Sequence, residues 1–345
     1  MINRITIGHH NAWPAARTLG WGVLVVSGAV AIAILIVLAM AHSDQNEVLL
    51  ESLSDCGGKF QKFVSISSDG RLLATCSSST GAIVFLDVAT GREVREIAGM
   101  DSHNRRSGSF GKTHFIRYGA GTMDLWDTRV WKQLERECPE RTSCVVPTHH
   151  DRLVFLGTYG AGLQLLDVRT GRLEVMCPRS EPVWAVDVSL DETWLASSRD
   201  ETIVIWDVAK RMEIAKVKLN KSISHLRFSR SHSLLCASSD DGLITTIDTR
   251  TWLVLKTFRV SHPQLGIISG LRFVGNTPII VTASTDRFIQ FFDCRSGLCI
   301  CRFNPKEPRP AYVESFDVDS KGDILAVLFA NRNLKCWRIP RLAVE

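Results

Sequence analysis

The sequence predicts an all-β chain, a seven-bladed β-propeller of four-stranded blades preceded by one transmembrane helix. Three observations predict it. A large apolar residue followed by Asp recurs at near-constant spacing, each recurrence belongs to a unit of four short alternating strands, and an uncharged apolar run stands ahead of the first unit.

The recurring positions are Leu86-Asp87, Trp126-Asp127, Leu166-Asp167, Trp206-Asp207, Ile247-Asp248, Phe292-Asp293 and, without the Asp, Trp337-Arg338, spaced 40, 40, 40, 41, 45 and 45 residues apart. The fourth unit shows the strands most clearly: VWAVDVS, TWLASS, TIVIWDV and MEIAKVKL, with turn residues Leu190-Asp191-Glu192 and Arg199-Asp200-Glu201 between them. A four-stranded unit of this length cannot bury both of its faces alone. Packing the units radially does bury them and leaves only short protected edges, so seven recurrences read as seven blades.

These dipeptides and their spacing resemble the WD-repeat family of β-propellers over about residues 46–339. The resemblance implies a rigid ring used as a platform on which other proteins assemble. The Gly-His pair that opens many family repeats is missing, and the His of the family's buried His, Ser/Thr, Asp and Trp network has no counterpart; Asp200 and Trp206 remain in the fourth unit.

After Trp337-Arg338 only Ile339 to Glu345 remain, too short for a full outer strand, whereas Glu47-Val48-Leu49-Leu50-Glu51 resembles the outer strands Arg92–Ile97 and Leu173–Cys177. The N-terminal strand is therefore expected to complete the last blade. The ring is expected to occupy 47–345, joined by a linker, 42–46, to a transmembrane helix at 21–41 and an N-terminal cytoplasmic segment at 1–20. A linker of five residues reaches at most ~18 Å.

From Trp21 to Ala41 no side chain is charged, which is long enough to cross the hydrocarbon layer as a helix. A buried helix of a soluble domain would need protein on every face. A cleaved signal peptide is the other alternative, since Ala39-Met40-Ala41 has the small-x-small form, but the run exceeds the usual length of such regions, and an uncleaved anchor is favoured. Arg4 and Arg17 precede the run while Asp44, Glu47 and Glu51 follow, which places the N-terminus in the cytoplasm and the ring on the extracytoplasmic side of a single-pass membrane protein.

Composition narrows the partners. Hydrophobic residues make up 45% and charged residues 22%, a globular balance. The formal charge is +5, but removing Arg4 and Arg17 from the 41 basic residues leaves 39 against 36 acidic ones, a dispersed excess of three that lacks the clustered footprint of a nucleic-acid surface.

No motif carries catalysis, a metal or a cofactor. The Asp residues of the repeat each start a tight turn, where a carboxylate accepts backbone amides. Gly111-Lys112-Thr113 resembles the end of a phosphate loop, but Arg106 stands where that motif needs Gly and a strand follows. Gly119-Ala120-Gly121 and Gly160-Ala161-Gly162 are turn glycines, and His149-His150-Asp151 reads as a surface turn rather than a metal site. Cys76 and Cys236 read as core filler, while Cys138 and Cys144 are a candidate disulfide in an oxidising compartment.

In the resembled family, partners dock on the face made by the turns between second and third strands and by the connections between blades. Those segments hold Tyr159, Arg179, Trp184, Arg199, Asp286, Arg287, Arg309, Tyr312 and Arg332, rich in the Arg and aromatic residues of interface hot spots. Glu181, Asp200, Asp240 and Asp241 offset the charge. The polar stretch Gly99 to Gly111 replaces a recognisable inner strand in blade two and is a second candidate contact, through Arg105 and Arg106. The leading expectation is a membrane-tethered, non-catalytic protein-interaction scaffold. The alternative is a propeller enzyme or small-ligand sensor working from the central channel; convergent acids or His at equivalent inner-strand positions would mark it, and none is read from the sequence.

Overall fold

The computed structural model describes residues 50–57, 59–98, 107–119, 122–134, 142–177, 182–231, 233–260, 268–284, 288–305 and 312–342. The N-terminal segment 1–20, the apolar run 21–41 and the linker 42–46 lie outside these residues. Among the described residues no helix is long and apolar enough to cross a membrane.

The described chain is all-β and forms seven four-stranded antiparallel sheets. In blades one to six the strands follow chain order from the inner to the outer edge. Inner strands are Phe60–Ile66, Ser107–Phe110, Thr142–Pro147, Val186–Val188, Ile223–Phe228, Ile268–Phe273 and Val313–Val318. Each inner strand contacts that of the next blade, and the seventh returns to the first, which closes a ring.

Blade seven takes its outer strand from the other end of the chain. Glu51–Gly57 pairs antiparallel with Leu334–Arg338, with Glu51 opposite Arg338 and Gly57 opposite Leu334. Closure by an N-terminal strand is as expected, but the strand begins four residues later than its expected start at Glu47; residues 47–49 lie outside the described ones. The reason is visible in the pairing. Register shifts between Ser52 and Ser54 and between Asp55 and Gly57 break the simple alternation that sequence reading relies on.

The expected gap in blade two is filled. Ser107–Phe110 forms its inner strand at the end of the polar stretch. Phe110 sits 5.0 Å from Phe115 and 5.9 Å from Phe85, ring centre to ring centre, and Phe85 lies 4.8 Å from Trp131. One aromatic residue in a strand of four is enough because Phe85 of blade one and Phe115 of the blade's own second strand supply its ring contacts.

Among the described residues, seven buried apolar clusters fill the interior, each drawn from two consecutive blades. In the seam between blades six and seven, Ile279, Val281 and Phe291 meet Leu325, Val327 and Phe329. Burying each such side chain stabilises the ring by about 1.5 to 3 kcal/mol. A blade alone would leave these faces wet, so the unit of stability is the seam. Cys76 and Cys236 are buried free thiols in this core, as expected.

Candidate functional site

Antiparallel order gives the ring two distinct faces. Turns between second and third strands and the connections between blades share one face; turns between first and second and between third and fourth strands share the other. We refer to these as the connection face and the turn face. Glu51 lies on the turn face, because its partner Arg338 ends the third strand of blade seven there.

Connection-face candidates divide into four groups, the last of them Arg199 alone. Tyr159, after the second strand of blade three, and Trp184, before the inner strand of blade four, are 43% and 44% exposed and stack edge to face at 5.3 Å. Tyr312 and Arg332 are exposed in blade seven, where Ala330 N–H donates to the Tyr312 carbonyl at 3.0 Å. Arg179, Arg287 and Arg309, with Glu181 and Asp286, lie outside the described residues. So do Cys138, Arg105 and Arg106; Cys144 is a free thiol whose burial pushes its pKa up to about 11.

Arg199 corrects its expected place on the exposed rim. It is 7% exposed, its Nη2 donates to Cys177 Sγ at 3.0 Å, and its guanidinium lies 5.8 Å from the Trp206 ring centre. A guanidinium over an indole face is held electrostatically, so Arg199 secures the seam between blades three and four. The turn position that suggested exposure sets the backbone, and the long side chain folds inward.

The turn residues do what carboxylates do at tight turns. Asp87, Asp127, Asp167, Asp207, Asp248 and Asp293 each accept a backbone N–H two or three residues on, at 2.8 to 2.9 Å. The two motifs set aside in the sequence meet each other: Asp151 of His149-His150-Asp151 accepts the Lys112 N–H at 2.6 Å, the Thr113 hydroxyl at 2.6 Å and the Thr113 N–H. No group of three metal-ligating side chains occurs among the described residues.

The central channel holds what sequence reading missed. Asp187, Arg227, Arg272 and Asp317 occupy one level of four consecutive inner strands, opposite Ala196, Cys236, Val281 and Ala326, each the third residue of its second strand. Arg227 Nη1 lies 3.7 Å from Asp187 Oδ1, and Arg272 Nε donates to Asp317 Oδ1 at 2.5 Å. The free carboxylate oxygens staple seams: Asp187 Oδ2 accepts Phe228 N–H at 2.6 Å and Asp317 Oδ2 accepts Ile66 N–H at 2.9 Å. Ser65, at the same level in blade one, accepts Phe110 N–H at 3.3 Å. Equivalent inner-strand positions therefore do carry convergent charge, against expectation. The signal in the sequence was the set VDV, LRF, LRF and FDV just before four first turns, legible only once the blades are in register.

Burial governs the electrostatics there. It raises the Asp187 carboxyl and, together with Arg272, brings the Arg227 guanidinium down to about 10. Deeper in, it holds His225 neutral with a pKa of about 3 while its Nδ1 pairs with Ser238 Oγ at 2.9 Å. Tyr118, on the second strand of blade two, is pushed up to about 12 by the same cause.

In blade four, Trp206 Nε1 donates to Ser197 Oγ at 2.9 Å within the buried core, tying the third strand to the second. Residues 173–207 match the WD40 family, described as WD domain, G-beta repeat. The matched WD repeat runs from the outer strand of blade three, Leu173–Cys177, through the third strand of blade four, Thr202–Asp207, and ends on Trp206-Asp207. It thus straddles a seam rather than filling one blade. The match, with the seven four-stranded blades, supports a WD-repeat propeller.

Proposed function

We propose that the chain is a membrane-tethered, non-catalytic scaffold whose connection face binds other proteins. The observation that carries the reading is the Tyr159–Trp184 pair, two large aromatic rings exposed together at the seam of blades three and four. Tyr and Trp are among the residues most enriched in the hot spots that anchor protein interfaces. Wide scaffolding also fits a fold whose stability lies in its seams and whose faces are left to turns.

The tether rests on the uncharged run Trp21–Ala41, and the N-terminus inside on Arg4 and Arg17. The chain enters the ring at Glu51 on the turn face, and the aromatic pair lies on the connection face. The ring then works on the extracytoplasmic side. Its partners are proteins rather than nucleic acid, since the charge beyond residue 41 is close to balanced.

The test is cross-linking of intact cells with a membrane-impermeant reagent, followed by affinity purification from solubilised membranes. A discrete set of partners should appear with wild type and with the outer-strand control Lys256→Ala, and be lost with Tyr159→Ala/Trp184→Ala. Partners indifferent to the double variant overturn the proposed face; capture only by a permeant reagent overturns the proposed side.

A further inference from the structure

On the turn face the central channel opens into a cavity of about 500 Å³. Four cations line it, Lys112, Arg227, Arg230 and Arg272, against Asp187 and Asp317, with Asp319 on the adjoining part of the same mouth, a net of one positive charge among these described residues with His149 neutral. Asp187 and Asp317 are committed, each to one arginine and one backbone amide. Their hydrogen-bonding capacity is taken up by those partners, and Asp187 reaches Arg230 through its charge alone.

Arg230 and His149 stand at the mouth in a different condition. Both are half-buried, yet neither side chain makes a hydrogen bond or ion pair among the described residues. Burial lowers the pKa of each, and Arg230 adds its own repulsion on His149. Leaving a guanidinium partly dehydrated without a hydrogen-bonded partner is costly, and Asp187 and Asp319 offset that cost only through their charge. Below them, Arg227 and Arg272 sit at one level on neighbouring inner strands, so like charges face each other across one seam. An anion placed in the mouth relieves both strains at once.

We propose that this mouth is a binding site for a phosphate monoester, held by Arg230 and Lys112 at the rim, with His149 beside them and Arg227 and Arg272 beneath. A monoester brings negative charge to a lining that is net positive, and guanidinium forks pair with its oxygens two at a time. The inference does not rest on the scaffold reading, which concerns the opposite face. The phosphate belongs either to a soluble molecule or to a lipid headgroup, since the chain enters the ring at Glu51 on this same face.

The experiment follows thermal unfolding of the full chain in neutral detergent micelles, titrated in one arm with inorganic phosphate and in the other with phosphatidate in the micelle. A rise of the midpoint with free phosphate assigns a soluble ligand; a rise only with phosphatidate assigns a headgroup. Either rise should need about tenfold more ligand in Arg230→Ala and in Lys112→Ala, the loss of one charge-assisted contact. Lys112 is exposed, so its variant folds whatever Arg230 does for stability, and Lys256→Ala on an outer strand should titrate as wild type. No rise in either arm, or a rise that both rim variants keep unchanged, overturns the site.

Discussion

The carboxylate of Asp151 in blade three closes the first turn of blade two by accepting the amides of Lys112 and Thr113, so one side chain caps a loop 38 residues earlier in the chain. Thr113 Oγ1 adds a third bond at 2.6 Å, and His114 Nδ1 lies 3.4 Å away. A phosphate could not reach these two backbone amides without displacing the carboxylate, which leaves the Lys112 side chain itself unengaged by Asp151. Asp151→Ala strands two amide donors and should cost about 1 to 3 kcal/mol in urea denaturation, while connection-face partner capture is unchanged. A loss no larger than that of an exposed substitution such as Lys256→Ala would show that water caps the turn equally well.

Gly108 makes the weak inner strand of blade two possible. A Cβ at this position would fall 2.7 Å from Phe63 Cε2 and 2.8 Å from Phe115 Cε2, inside the aromatic seam of blades one and two. Gly108→Ala should therefore destabilise by about 1 to 3 kcal/mol despite its gain in chain stiffness, because overpacking outweighs the entropy term. Equal or greater stability in denaturant would mean that the Phe63 and Phe115 rings move aside freely.

The period of the chain was legible because it lives in residues whose burial and turn chemistry repeat: a large apolar residue before an Asp that caps. Blade two's inner strand was not, because Ser107–Phe110 carries a single large apolar residue and borrows its packing from Phe85 and Phe115. The channel site escaped for another reason. Asp187, Arg227, Arg272 and Asp317 are each unremarked in their own strand, and their meeting is a property of ring closure that no local pattern encodes. Arg199 shows the converse, a residue whose turn position was read correctly and whose side chain went inward to Trp206.

Acid should loosen the ring through its turn carboxylates. The Arg129 guanidinium and amide hold Asp127 well below the ordinary 3.8, at about 2, and the corresponding Asp87, Asp167, Asp207 and Asp248 are lowered by the hydroxyls, side chains and amides of their own turns. A carboxyl depressed in the folded state contributes stability that is fully present above its unfolded pKa and is lost as pH falls through the folded one. Stability measured by denaturant should thus fall from about pH 3.8 to about pH 2, and Asp127→Asn should flatten that fall while lowering stability at neutral pH. An identical pH profile for wild type and variant would remove Asp127 from this account.

Ring closure depends on seven residues from the N-terminal side of the chain. Glu51–Gly57 covers the otherwise open edge of Leu334–Arg338, Ser54 Oγ donates to the Val88 carbonyl of blade one at 2.8 Å, and Leu50 packs into the seam of blades six and seven. The strand therefore joins blade seven to both of its neighbours. A chain beginning at Leu50 should unfold with the cooperativity of the full ring, whereas one beginning at Lys59 should lose midpoint in urea and self-associate through the bared strand edge, seen by sedimentation. Should the two chains unfold alike and stay monomeric, the seam of blades seven and one would have to be held by its inner strands alone, through Asp317 and Ile66.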